Sequence, residues 1–161
     1  MALQSVSVAV EDAEGRTLAG VVLDPLRDEL FAATADGPPT LNGVALERRP
    51  APDLSAALVA TGFAYSAGVR AAQAQVLGAL LPRVRDIRRF GSAALDLAWT
   101  AAGRCDAYWE RGTQRWDVAA GALVCERAGL MVEPLPARGV LPAGQIAAPP
   151  ELLAALRELV A

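Results

Sequence analysis

The first third of this chain has the apolar spacing of strands alone, whereas the rest alternates between the spacing of strands and that of helices. This division limits the fold more than any other feature. Residues 5–10 alternate small polar with apolar side chains (Ser-Val-Ser-Val-Ala-Val), the period of a half-buried β-strand. Residues 17–23 and 29–34 read as further strands, and the polar residues 11–15 predict a hairpin between the first two. From residue 56 onward, short apolar strands alternate with helical stripes. This order of elements predicts an α/β fold with helices layered on a sheet.

Helix stop and start signals divide the second part of the chain. Pro82 ends a first helical stripe, and Gly103 and Gly129 occupy the positions of C-caps for two more helices. Pro149 and Pro150 open a last helix whose leucines face inward. The predicted strands in this part are 56–60, 84–88, 105–110 and 145–148, and the predicted helical stripes run over 69–80, 95–102, 118–128 and 152–159. Residues 36–43 are predicted to be a turn region, because they contain Asp-Gly-Pro-Pro and Asn-Gly.

Length and composition describe a globular chain. With 161 residues, 53% of them hydrophobic, and no repeat or low-complexity tract, we expect residues 1–161 to form one domain. The longest uncharged run, 54–69, is too short and too polar to span a membrane. The amino end lacks the basic region of a signal peptide, and the two cysteines, Cys105 and Cys125, are not in a CxxC spacing. We therefore expect a cytoplasmic protein with reduced cysteines that serve in packing.

The charged residues exclude several kinds of chemistry. All 15 basic residues are arginine, and there is no lysine or histidine, which excludes a histidine base, a P-loop lysine and a Schiff base within this chain. The formal net charge of −3 gives no electrostatic support for binding nucleic acid. Four arginines cluster between residues 83 and 89, and we interpret them as a solvated strand edge or an interface. Catalysis would have to use carboxylates, hydroxyls, arginines, backbone amides or a bound metal.

Three segments are candidates for a ligand site. Glu110 ends a predicted strand, and Asp117 opens the helix that follows it, so both are expected at the edge of the sheet where α/β proteins bind ligands. Gly91, Ser92 and Ala93 begin another helix, where small residues expose backbone amides to a ligand. A purely structural role for Asp117 and Ser92 remains open, because aspartate and serine are both preferred N-cap residues.

Together these segments resemble the inositol monophosphatase family. The resemblance covers nearly all of the chain and is most specific at Trp-Asp-x-Ala-Ala-Gly (116–121). Other matching pieces follow in order: Val21–Pro25, Asp28–Phe31, Leu41–Gly43, Thr61–Phe63, Arg89–Leu97, Ala101–Glu110, Glu126–Gly129 and Ala147–Leu153. Members are αβαβα sandwiches and Mg²⁺-dependent phosphomonoesterases, usually homodimers, so the resemblance implies a small phosphorylated polyol or sugar as substrate. It also implies Asp117 as a metal ligand, Glu110 as an acceptor for substrate hydroxyls, and Gly91, Ser92 and Ala93 as lining of the substrate pocket.

The family's amino-terminal metal motif, Asp-Pro-[Ile/Leu]-Asp-Gly-Thr, is missing from this sequence. Asp24-Pro25-Leu26-Arg27-Asp28 is only a lookalike, because its second aspartate comes one residue late and Gly-Thr does not follow. Of the family's metal carboxylates only the position of Asp117 is present, and one aspartate cannot arrange a multi-metal phosphatase site. We therefore expect a carboxy-terminal part of the family fold, lacking the amino-terminal helices and first strands, that is inactive alone.

The missing metal motif allows two further interpretations of the chain. The chain could be a fragment, a mis-started gene model or a natural short form, with another chain supplying the missing acids. A metal-free pseudoenzyme or interaction module is the alternative to an enzyme. A homo-oligomer is expected in either case, because the strand at residues 5–10 would have an unpaired edge and an uncovered face. A monomer remains open if the carboxy-terminal helix, with Leu152, Leu156 and Leu159, covers that face.

Overall fold

The computed structural model describes residues 3–161, and its first third is a meander of antiparallel strands. The strands of this first sheet are adjacent in chain order: β1 Val6–Glu11, β2 Thr17–Asp24, β3 Glu29–Thr34, β4 Thr40–Leu41 and β5 Val44–Ala45. Asn42 and Gly43 both have positive φ, 51° and 80°, and they turn the chain between β4 and β5. The predicted hairpin of the first two strands is confirmed, and β1 forms one edge of the described sheet.

A second, mixed sheet and four helices make up the rest of the described chain. The sheet has the order β7-β6-β8-β10-β9, with β6 parallel to both β7 and β8, and β10 antiparallel to β8 and β9. Its strands are β6 Leu58–Thr61, β7 Asp86–Arg88, β8 Ala107–Arg111, β9 Met131–Leu135 and β10 Gly144–Ala148. The helices are α1 Ala67–Leu80, α2 Ala93–Ala101, α3 Arg115–Arg127 and α4 Pro150–Val160. No helix in residues 3–161 has the length and apolarity needed to cross a membrane.

The elements pack as four layers. Helices α2 and α3 lie between the two sheets, and α1 and α4 cover the other side of the second sheet. Because α2 and α3 contact protein on both sides, eight residues of each are buried, as expected for helices that are apolar nearly all round. This layered α/β sandwich confirms the fold class predicted from the sequence.

Close contacts between small residues set the distance between the layers. A Cβ atom added to Gly20 of β2 would lie 2.7 Å from the Cα atom of Ala120 in α3. A Cβ atom on Gly121 would lie 2.7 Å from the Cβ atom of Leu97 in α2. Both distances are too short for a real side chain, so glycine is required where α3 approaches β2 and where it approaches α2. The Ala-Ala-Gly-Ala run is therefore a packing surface of α3.

Some elements differ from the sequence prediction. Strands β4, β5 and β9 were not predicted, because two have only two residues each and the third contains Pro134. The strand predicted at 56–60 begins only at Leu58, after a turn of 3₁₀ helix at Leu54–Ala56. The buried stripe of α1 includes Gln73, which the apolar pattern did not identify. The cysteine prediction is confirmed in that both thiols are free and buried.

The outer face of the first sheet has no covering layer within residues 3–161. Val6, Val8 and Val10 of β1 are each about half exposed, at 52%, 53% and 56%. The carboxy-terminal helix does not cover them, because α4 packs against α1 and β10 on the second sheet. The interpretation in which α4 shields the first sheet is therefore wrong, since its apolar stripe is already buried elsewhere.

One acidic side chain is buried in the middle layer. Asp96 of α2 is 1% exposed, and neither of its carboxyl oxygens has a hydrogen-bond partner among the described residues. Burial, with the nearby charge of Glu110, raises its pKa to about 8, although Arg89 acts in the opposite direction. The folded protein therefore holds Asp96 as a neutral acid below that pH.

We expect the exposed valines to drive self-association. A flat apolar sheet face beside an unpaired strand edge favours contact between copies, so light scattering at low micromolar concentration should give a mass well above 16.7 kDa. Val8→Lys should shift the protein toward that monomer mass by placing a charge on the face. Val140→Lys is the matched control, because Val140 is also exposed, at 66%, but lies in a distant loop. A parent chain that is already monomeric contradicts this prediction.

We expect Asp96 to make stability depend on pH. In the unfolded chain an aspartate titrates near pH 4, whereas in the folded protein Asp96 titrates near 8. The stability present below pH 4 is therefore lost as pH rises toward 8, because only the unfolded chain can ionise in that interval. Asp96→Asn removes this loss, which is on the order of a few kcal/mol at about 1.4 kcal/mol per pKa unit.

Urea denaturation at pH 5 and pH 8 measures this effect. The free energy of unfolding should fall less between the two pH values for Asp96→Asn than for the parent chain. Asp36→Asn, at an exposed position, should behave like the parent. Equal losses for the parent and for Asp96→Asn would show that Asp96 is ionised in the folded protein.

Candidate functional site

A cavity of about 480 Å³ opens where both sheets meet the first turns of α2 and α3. The parallel strands β6 and β8 end there, and the loops that follow them form two of its walls. Ser5 and Ser7 contribute from the first sheet, and the Ser5 and Ser92 hydroxyls lie 2.9 Å apart across the layers. The site therefore lies at the edge of the sheet that the sequence indicated.

Five candidate residues from the sequence line this single cavity. They come from the end of β8 and from the starts of α2 and α3: Glu110, Gly91, Ser92, Ala93 and Asp117. Glu110 and Asp117 are seven positions apart, and Gly91 is nineteen positions before Glu110, so the layered packing brings these segments together.

Glu110 has the environment of a partly buried acceptor. Its Oε2 atom accepts a hydrogen bond from the Tyr108 hydroxyl at 3.1 Å, and both side chains project from the same face of β8. Burial raises the pKa of Glu110, while the Tyr108 hydrogen bond and Arg89 oppose that shift. Burial also raises the pKa of Tyr108 well above its ordinary value, so its hydroxyl remains a donor.

The start of α2 combines helix capping with an open backbone. Ser92 is the N-cap, and its Oγ atom accepts a hydrogen bond from the Leu95 amide at 3.3 Å, so the capping role left open by the sequence is present. Gly91 has a φ of +101°, a conformation that side chains disfavour, and it lies against the Arg89 guanidinium. This first turn presents its positive end to the cavity.

Asp117 is the third residue of α3, not its N-cap. Gln114 is the N-cap, and Asp117 Oδ2 accepts a hydrogen bond from the Gln114 amide at 2.8 Å in a capping box. The sequence-based alternative of Asp117 as the N-cap is therefore wrong, because the N-cap is Gln114, three positions earlier, and Asp117 caps the helix from its third residue. One carboxylate oxygen binds the helix amide, and the other has no hydrogen-bond partner among residues 3–161 and can face the cavity.

The described residues do not form a complete magnesium site. Within residues 3–161 no three acidic, cysteine or histidine side chains gather closely enough to hold a metal ion. Asp117 offers one carboxylate, and Glu110 is engaged by Tyr108. Since Mg²⁺ needs near-octahedral oxygen ligands, these residues can contribute to a cation site but cannot define one.

Sequence reasoning missed two parts of this cavity. Arg89 was grouped with the solvated arginines, but it lines the cavity, and its charge opposes the raised pKa values of both Glu110 and Asp96. Arg88, by contrast, pairs with Asp86 on the edge strand β7, as the solvated-edge interpretation predicts. The loop at 62–65 after β6 also lines the cavity, and its only sequence signal was the Thr61-Gly62-Phe63 match.

The lining of the cavity combines groups that suit an anion with groups that accept hydrogen bonds. Arg89 and the positive ends of α2 and α3 favour an anionic group. Glu110 can accept hydrogen bonds from hydroxyl groups, and Asp117 can hold a cation beside the anion. At about 480 Å³ the cavity is in the size range of small-molecule sites.

Known proteins with similar sequences extend well beyond the part that matches this chain. The chain is 46% identical over 129 residues to Nus factor SuhB of Escherichia coli K12, which covers 80% of the chain and 48% of that protein. It is 48% identical over 138 residues to inositol-1-monophosphatase of Mycobacterium leprae, covering 83% of the chain and 47% of that protein. The chain thus spans about half the length of the curated relatives it matches.

Solved structures give the same relationship. The extragenic suppressor protein suhB of Bartonella henselae superposes with a TM-score of 0.86 at 33% identity, over 97% of this chain and 60% of that one. Mycobacterium tuberculosis SuhB superposes with a TM-score of 0.84 at 39% identity, over 96% of this chain and 64% of that one. The sequence model of the inositol monophosphatase family matches residues 3–161. On this evidence the chain belongs to the inositol monophosphatase family.

Proposed function

We propose that this chain is the carboxy-terminal, substrate-facing part of an inositol-monophosphatase-like phosphomonoesterase. The observation that carries the proposal is the convergence of Glu110, Asp117 and the start of α2 on one cavity in a chain of this family. The complete enzyme would hydrolyse the phosphate ester of a small polyol or sugar in a Mg²⁺-dependent reaction. The Mycobacterium leprae relative, which is 48% identical to this chain, is named as an inositol-1-monophosphatase, and that name supports this substrate class.

Each side of the cavity has a distinct role in this proposal. Arg89 and the first turn of α2 orient the phosphate, Glu110 binds the hydroxyls of the polyol, and Asp117 supplies one oxygen to the metal. Mg²⁺, when bound, would supply activation of water and stabilisation of the leaving oxygen. The remaining ligands have to come from polypeptide other than residues 3–161, because these residues hold no cluster that could replace them.

An interaction module is the second candidate. The relative named as a Nus factor favours it, since that is not the name of a hydrolase. The uncovered valines of β1 offer a surface for such a role. In this case the cavity would be a remnant of the family fold, and the chain would act without metal.

We expect the isolated chain to have little or no Mg²⁺-dependent phosphatase activity. One carboxylate cannot position the metal ions, so hydrolysis of inositol 1-phosphate or an aryl phosphate should stay near background from zero to saturating Mg²⁺. Robust turnover that Asp117→Asn abolishes and Asp53→Asn preserves would contradict this, because Asp53 is exposed and its side chain caps nothing.

We expect the chain to bind myo-inositol 1-phosphate through Glu110 even without turnover. Glu110→Gln replaces a charged acceptor, and losing hydrogen bonds to a charged group costs about 1.5–3 kcal/mol, so affinity should fall by about 10-fold or more. Amide chemical shifts of the cavity residues during titration measure the affinity. Glu47→Gln, at an exposed position outside the cavity, should bind like the parent. Absence of shifts in the parent would favour the interaction module.

A further inference from the structure

Gly62 touches the carboxyl group of Glu110. The glycine is buried at the end of β6, and a methyl group built on it would overlap Cδ and both carboxyl oxygens of Glu110. Gly62 is not among the glycines with positive φ, so its backbone conformation is open to other residues. The three atoms nearest to such a methyl group all belong to Glu110, so the need for glycine at this position comes from the Glu110 side chain.

The backbone of Glu110 is fixed, so only its side chain can yield to a larger residue at position 62. Strand β8 is the central strand of the second sheet, flanked by β6 and β10, and Gln145 of β10 lies opposite Glu110 in the register. The Tyr108 hydroxyl holds the carboxylate through Oε2 at 3.1 Å. A side chain at position 62 would have to break that hydrogen bond or push the carboxylate into the cavity.

The loop that contains Gly62 is fixed from behind by α1. The Oε1 atom of Gln73, which is fully buried, accepts a hydrogen bond from the Ala64 amide at 3.0 Å. The Arg70 guanidinium donates to the carbonyl oxygens of Ala64 and Tyr65 at 3.1 and 2.6 Å. These bonds keep the loop from retreating, so the strain of a larger residue at position 62 would fall on Glu110.

We propose that Gly62 is a positioning residue that sets where the Glu110 carboxylate stands in the cavity, with Gln73 and Arg70 holding the loop in place. Lining one side of Glu110 with bare backbone lets the carboxylate lie close to the wall and leaves the cavity open for a ring bearing hydroxyl groups. The identity of that ligand rests on the proposed function, whereas the placement of Glu110 does not.

Gly62→Ala tests the proposal without any ligand. The ¹³C resonance of the Glu110 side-chain carboxyl, assigned by its loss in Glu110→Gln, should move in Gly62→Ala because the carboxylate is displaced from Tyr108. The matched control is Gly68→Ala, since Gly68 is exposed at the start of α1 and has no atom within 4 Å of an added Cβ. A folded Gly62→Ala protein whose Glu110 resonance equals that of the control would overturn the proposal.

A double-mutant cycle covers the case in which Gly62→Ala does not fold. Gly62→Ala should lower the melting temperature by about 3 °C or more, or prevent folding, in the presence of Glu110. In the Glu110→Ala background the same change should have no cost, because the overlapping atoms are gone. An equal loss in both backgrounds, or failure of Gly62→Ala/Glu110→Ala to fold where Glu110→Ala folds, would overturn the proposal. A displaced Glu110 resonance in a chain that does not bind myo-inositol 1-phosphate would support the positioning role and count against the proposed function alone.

Discussion

The contact between β2 and α3 at Gly20 is the constraint on which the layered structure depends. Only hydrogen fits on Gly20 facing the Cα atom of Ala120, and only hydrogen fits on Gly121 facing Leu97. These two contacts bring α3 close to the first sheet on one side and to α2 on the other. If Gly20 carried a side chain, α3 would have to move away from the first sheet. If Gly121 carried one, α3 would have to move away from α2, and in both cases the close packing of the layers would be lost.

The position of the middle layer also determines the site. Helices α2 and α3 both begin at the end of the molecule where β6 and β8 stop, so their positive ends and the last residues of two strands surround one cavity. Ser92, the N-cap of α2, is hydrogen-bonded to Ser5 just before β1, which joins the middle layer to the first sheet at this point. The site is therefore built from the starts and ends of elements whose interiors carry the packing.

Carboxyl groups take the place of histidine in the electrostatics of the cavity and of the buried layer next to it. In a chain without lysine or histidine, burial is the means by which acids acquire unusual protonation, as the raised pKa values of Asp96 and Glu110 show. Arg89 is the cation that opposes both shifts. The protein thus combines a buried acid that is neutral below about pH 8 with a partly buried one, and the exposed Arg89 opposes both pKa shifts.

Local patterns in the sequence determined the strand hairpin, the alternation of strands and helices, the caps at Gly103 and Gly129, and the end of the sheet where the cavity lies. Each of these depends on residues within a few positions of one another, so the period of the side chains is enough to predict it. The tertiary structure alone decided that Arg89 belongs to the cavity, that α4 covers the second sheet, and that Gly62 abuts Glu110. Gly62 and Glu110 are 48 positions apart and meet only because β6 and β8 pair in parallel with a particular register. No local period carries that register, because it is set by the packing of both strands against helices from elsewhere in the chain.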